Sequence, residues 1–317
     1  MCSELFKKSL PFSQAILQSG VAPLTVRTMK HHQDSYDKLV AHFKIDYELS
    51  PEQKLEALRN IPADDIVKGY VSLGSPVKSW QAAADGYLLK EVPSFSKLSS
   101  IHYPKSIKRL LIGDCAAEGL IFIMKVKQMQ WTFEGVQALA VQILGEETSK
   151  RVLEAFGIRL GLSPEELLGG VTRLLTDAEW AQPVEIVARS FSNGEVFYYH
   201  VAEGNPFDGP HKGKAHHAVD LLFIFLSYQE HLPGELRQLA EKLAEHWLVF
   251  ITGGRPWTPY DAKLPASAKL MQYGPNAQVR EIPEVEKQSY SRLRLCEGLQ
   301  DDISALAAAL RGEEIVE

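Results

Sequence analysis

Short apolar runs rich in β-forming residues alternate along this chain with stretches of helical periodicity, and that alternation predicts an α/β architecture. The first strand falls at Ala15-Ile16-Leu17-Gln18 and is closed by Ser19-Gly20. Helices are expected over 28–44 and 50–68. The second opens on Ser50 as N-cap and Pro51 in the first turn, where a missing N–H costs nothing. A loop rich in Ser, Lys and Pro covers 92–107 and leads into the strand Leu110-Leu111-Ile112-Gly113. Helical spacing then returns over 118–127, 133–145, 148–156 and 163–175. Asn193-Gly194 marks a turn, and Glu195–Val201 (Glu-Val-Phe-Tyr-Tyr-His-Val) reads as the third strand. Helices at 217–227, 233–249 and 288–311 complete the pattern. There is no internal repeat, and three strands are few for 317 residues.

With 45% hydrophobic and 23% charged residues the composition is that of a globular chain able to bury a sizeable core. Its length suits one large domain or two modest ones. The longest apolar run, Leu221 to Leu226, falls far short of the ~20 residues of a membrane span, so none is expected. The opening Met1-Cys2-Ser3-Glu4-Leu5-Phe6-Lys7-Lys8 lacks the apolar core of a secretory signal, and the chain as written reads as cytoplasmic. Net charge is −6 with Lys and Arg scattered, which argues against a nucleic-acid partner. Cys2, Cys115 and Cys296 share neither metal-ligand spacing nor a disulfide pattern.

Two places carry candidate chemistry. The strand ending at Gly113 runs into Asp114-Cys115-Ala116-Ala117-Glu118-Gly119, which sets two carboxylates at a strand's carboxyl end, where open α/β sheets gather ligands and catalytic groups. Taken alone, a simpler reading is preferred: Asp114 caps the following helix and Glu118 complements its dipole. After the third strand, a loop holding Gly204, Pro206, Gly209 and Pro210 precedes His211, His216 and His217, the last opening an apolar helix. A histidine there serves as a general base if a carboxylate fixes its tautomer; otherwise these are solvated loop histidines. Their irregular spacing, with no acid-rich partner segment, speaks against a metal site. Gly204 and Gly209 have phosphate-loop separation, but Pro210 stands where the lysine belongs.

Six pieces in order give these residues a context. They are Pro11-Phe12-Ser13-Gln14-Ala15-Ile16-Leu17-Gln18-Ser19-Gly20; Leu58-Arg59 with Pro62; Asp85-Gly86-Tyr87-Leu88 with Pro93; Leu110-Leu111-Ile112-Gly113 with Glu118-Gly119 and Phe122; His217 with Asp220 and the helix to Phe225; and Trp247, Phe250, Gly253, Pro256 and Tyr260. Together they resemble the type-B carboxylesterases, the α/β-hydrolase family that includes the cholinesterases. The resemblance implies an incomplete α/β-hydrolase fold. Residues 1–317 would form a single partial domain lacking the family's N-terminal half, with a C-terminal helix over 286–317 packing on it.

The same resemblance implies hydrolysis of small carboxylic esters through a Ser-Glu-His triad, with no cofactor and no metal. Glu118 would orient the imidazole of His217, and His217 would take a proton from a serine and later give it to the leaving alcohol. Trp131, Phe133 and Trp180 would wall the pocket by resemblance; read from the residues, they are core aromatics.

No Gly-x-Ser-x-Gly occurs in the 317 residues. By resemblance the nucleophile elbow falls just upstream of Met1, the oxyanion loop earlier still, and Met1 to Phe6 read like the end of the elbow helix. Ser19, Ser75 and Ser190 lie on no strand-elbow-helix pattern. As written, then, the chain is expected to be a truncated or inactive member, and a secreted one if a missing half carries a signal peptide. The alternative is a non-catalytic binding protein on a degenerate hydrolase fold, its protein partner adding a strand along Ala15 to Gln18. Either way an apolar strand edge is left open, and open edges invite association. Unfolding of the purified chain is therefore expected to depend on protein concentration; a sharp, concentration-independent transition of a clean monomer contradicts this.

Overall fold

A computed structural model of the chain describes residues 11–21, 26–73, 81–263 and 268–313. Its strands are β1 (Gln14–Gln18), β2 (Val26–Thr28), β3 (Ala82–Ala84), β4 (Arg109–Cys115), β5 (Glu195–Val201), β6 (Lys269–Tyr273) and β7 (Val279–Pro283). The described residues fall into two compact units, one holding 26–73 with 81–93 and the other 11–21 with 94–263 and 268–313.

In the smaller unit β2 and β3 pair in parallel beside three helices, Met29–His42, Pro51–Arg59 and Ala63–Ser72. Thr28 Oγ1 caps the first by accepting from the His31 N–H at 3.2 Å. Ser50 and Gln53 form a reciprocal capping box on the second. The single helix expected over 50–68 is two helices, because Pro62 has no N–H to give an ongoing helix and instead starts the next one.

The larger unit is built on a five-stranded sheet in the order β1-β4-β5-β6-β7. β1, β4, β5 and β6 run parallel, and β7 returns antiparallel to β6. β4 and β5 are buried along nearly their whole length, as parallel strands covered on both faces must be. Ile16, Leu111 and Phe197 share one register row. On that face Leu111, Phe197 and Tyr199 join a core completed by Phe223, Leu243, Trp247 and Phe250. Helix Gln182–Ser190 packs near β4. Gly194 is required where β5 begins, since a Cβ there would sit 2.0 Å from the Lys108 carbonyl oxygen.

The three strands expected from the pattern are β1, β4 and β5; four more stand among the described residues. β6 and β7 form a hairpin around Gly274-Pro275-Asn276-Ala277, whose Gly-Pro pair is a turn signal. Two helix expectations also differ. Helix Pro164–Thr176 does not stop but passes through a π turn, Asp177–Ala181, into Gln182–Ser190. The C-terminal helix is two, Tyr290–Leu295 and Gln300–Leu310, with Gly298 between them at φ 82. Among the described residues no helix is long and apolar enough to cross a membrane.

Phe197 lies fully buried in the central strand. Phe197→Ala is expected to cost about 3–5 kcal/mol, read as a lowered midpoint in urea with the slope unchanged.

Candidate active site

The carboxyl end of β4 is where the candidate residues meet. Beyond Cys115 the Ala116 N–H donates to the Val201 carbonyl at 2.9 Å and the Ala117 N–H to the Ala215 carbonyl at 2.8 Å, so the turn is tied to the end of β5 and to the segment just before His216. A short 3-10 turn, Glu118–Phe122, follows, held by the Gly119 N–H donating to Thr176 Oγ1 at 2.9 Å. Glu118 is fully buried. Its Oε1 accepts the Cys115 N–H at 2.6 Å, and its Oε2 accepts the Nδ1–H of His217 at 2.5 Å. Residues 99 positions apart thus form one pair.

His217 precedes helix Val219–Ile224, and Ala218 between them has φ 65. That left-handed conformation is disfavoured for alanine, and such strain persists where surrounding contacts fix it. The imidazole is about a third exposed, at 32%. With Nδ1 donating to a carboxylate, Nε2 keeps its lone pair and can accept a proton. Burial works against protonation of this ring, but the hydrogen bond from Glu118 and the charges of Glu118 and Asp220 outweigh it and hold the pKa above its ordinary 6.5. Asp220 is itself buried, which pushes its carboxyl up; Gln18 Nε2 donates to it at 2.9 Å and opposes that rise.

The neighbouring histidines are engaged elsewhere. His216 lies with Nε2 3.0 Å from Asn205 Nδ2 and Nδ1 2.8 Å from the His217 carbonyl, and the His211 ring stands 5.3 Å from it. Among the described residues no group of His, Cys, Asp and Glu is placed to hold a metal ion. Trp180, buried in the π turn, sets its ring 5.8 Å from that of His217 and 5.7 Å from Phe122. Trp131 instead donates to the Leu310 carbonyl at 2.8 Å, and Phe133 is half-buried at a helix start.

Asp114 caps no helix. It is the buried penultimate residue of β4, and its carboxylate accepts from His200 Nδ1 at 2.6 Å and Lys287 Nζ at 2.7 Å. Nor does Glu118 serve a helix dipole; its carboxylate is consumed by Cys115 and His217. Of the alternative serines, Ser19 has φ 52 and its Oγ lies 3.9 Å from Cys115 Sγ, while Ser190 Oγ donates to the Val187 carbonyl. Ser75 and the segment Met1 to Phe6 lie outside the described residues. The partners of Asp114 were not found by sequence reasoning, since a lone lysine after Pro283 reads as an exposed charge.

A buried carboxylate and a histidine meeting beyond the ends of parallel strands, under flanking helices, place the chain among the α/β hydrolases by fold. A model of the carboxylesterase family matches residues 2–292, and the chain belongs to that family. It is 26% identical over 161 residues to Lipase 3 of Yarrowia lipolytica, a stretch covering 49% of this chain and 30% of that protein. Among solved structures it resembles a PNB esterase with a TM-score of 0.62 at 20% identity, over 89% of this chain and 58% of that one. A carboxylesterase of Geobacillus stearothermophilus gives a TM-score of 0.65, again at 20% identity and over 89% of this chain and 58% of that one. At that identity the likeness is one of fold, and the chain spans well under two thirds of these relatives.

Because folding raises the His217 pKa, its contribution to stability is fully present below the unfolded value of 6.5 and is lost as pH rises through the folded value. Glu118→Gln removes the cause of the rise. The variant's His217 is expected to titrate lower by NMR, and its loss of stability to be greater at about pH 5.5 than at about pH 8.5. An unchanged titration contradicts this.

Proposed function

We propose that this chain supplies the acid–base half of a serine carboxylesterase. The observation that carries the reading is the 2.5 Å contact between His217 Nδ1 and the buried Glu118 carboxylate. Glu118 fixes the tautomer that leaves Nε2 free, and its charge stabilises the imidazolium once a proton arrives. A serine hydroxyl attacks the carbonyl carbon of a carboxylic ester as His217 Nε2 takes its proton, and His217 then gives that proton to the departing alcohol. Water repeats the sequence against the acyl-enzyme. Trp180, buried in the core, packs against His217 and backs the imidazole from within. The nucleophile and the oxyanion donors come from family segments that these 317 residues do not include, in keeping with the absence of Gly-x-Ser-x-Gly within them.

A second reading has one observation behind it. Among the described residues β1 pairs with β4 alone, which leaves the far edge of Ala15 to Gln18 open for a strand from a protein partner. That reading requires no chemistry from His217.

Labelling with a fluorophosphonate probe separates the two. The chain alone is expected to stay unlabelled. Joined to a family N-terminal segment carrying Gly-x-Ser-x-Gly, it is expected to label, to lose labelling in His217→Ala, and to slow by roughly 10³- to 10⁴-fold in Glu118→Ala. Labelling of the joined protein that ignores His217 overturns the proposal. His217-dependent labelling of the chain alone places the nucleophile within it, with Ser19 the first position to map.

A further inference from the structure

A second polar cluster gathers around Asp114 of β4, four residues before Glu118. Asp114, His200, Lys287 and Tyr198 are all buried. Asp114 and His200 face each other in register across β4 and β5. Lys287 Nζ donates to Asp114 Oδ2 at 2.7 Å and to the Tyr198 hydroxyl at 2.6 Å, and stands 4.9 Å from the centre of the Tyr198 ring. Burial opposes a charge on Asp114, yet Lys287 and His200 hold its carboxyl below the usual range.

Lysine is rarely buried, and an apolar replacement would serve the core as well. The chain nevertheless delivers this one with care. The turn that carries it, Glu284–Glu286, is anchored by Glu284, which accepts from the Tyr260 hydroxyl at 2.8 Å and from Arg189 Nη2 at 2.6 Å. The Glu284 N–H in turn donates to the Ala268 carbonyl at 2.8 Å.

The link to the candidate site is one peptide long. Asp114 carries the clamped carboxylate, and the peptide that follows it presents the Cys115 N–H that holds Glu118 Oε1. We infer that Lys287 is a positioning residue for the Glu118–His217 pair. By clamping Asp114 it fixes the plane of the Asp114–Cys115 peptide, and so the aim of the Glu118 carboxylate at His217. The inference deepens the esterase reading and rests on it for its purpose, although the coupling itself is a property of the folded chain.

The test follows the His217 ring by NMR titration in the full 317-residue chain, with no substrate and no nucleophile needed. Trp180 beside the ring, and Glu118 and Asp220 whose charges act on it, are left unaltered. Lys287→Met is expected to lower the proton affinity of His217 roughly threefold, because a loosened Glu118 no longer favours the imidazolium. The sign is diagnostic, since loss of the Lys287 charge acting through space would raise that affinity. Phe250→Leu, a core change apart from the cluster, is the control for lost stability and is expected to leave the titration in place. An unchanged or raised His217 affinity in Lys287→Met, with stability reduced, overturns the inference and leaves Lys287 a structural ion pair. Should Lys287→Met not fold, Lys287→Gln keeps a polar group beside the Asp114 carboxylate while removing the same charge, and it is read by the same criterion. Failure of the joined protein to label alongside a lowered His217 affinity would remove the esterase reading alone, so the two outcomes are distinguishable.

Discussion

A buried carboxylate must be met by a donor, and this requirement organises the larger unit more than any single apolar contact. Glu118 and Asp114 are both inaccessible at the carboxyl end of β4. Glu118 draws in His217 from the segment beyond β5; Asp114 draws in His200 from the neighbouring strand and Lys287 from beyond β7. The same rule recurs around them, in Asp177 with Arg292 and Glu179 with Arg311. Desolvation makes such pairs poor net sources of stability, but removing one partner from a buried pair costs about 3–5 kcal/mol. Their effect is to penalise every arrangement in which the distant segment is elsewhere.

This explains which parts of the molecule were legible in its sequence. β4 announces itself because a covered parallel strand is a continuous apolar run, as Leu110-Leu111-Ile112 is, and β1 and β5 carry the shorter runs Ala15-Ile16-Leu17 and Val196-Phe197-Tyr198-Tyr199. β6 escapes because Lys269 and Gln272 interrupt its run, and Gln272 is buried with its Nε2 donating to the Gly274 carbonyl. Pro62 was visible as a break, yet the surrounding periodicity masked it. Pro183 lies at the start of a helical segment that a π turn joins to the helix before it, a continuation that a pattern ending its helix at 175 does not show.

The site divides along the same line. Glu118 and His217 could be named because an ordered set of short motifs surrounds them; periodicity alone left Glu118 a dipole partner and His217 one loop histidine among three. Nothing local marks Lys287, whose neighbours Glu286 and Gln288 give it the look of a solvated stretch. Its burial is decided by Tyr198 and Asp114, positions 89 and 173 residues away, and no window along the chain contains that information.

The Glu118–His217 pair is preorganised by groups that all belong to this chain. The Cys115 amide holds one carboxylate oxygen, Thr176 holds the Gly119 amide beside it, and the ties from Ala116 and Ala117 fix the turn to the segments around His217. None of these contacts involves a nucleophile or an oxyanion donor. A hydrogen bond assembled this way forms on folding and depends on no bound ligand. The geometry of the pair is therefore set by contacts within the described residues of this chain. For this reason the state of His217, rather than ester turnover, is the direct measure of whether the site is built.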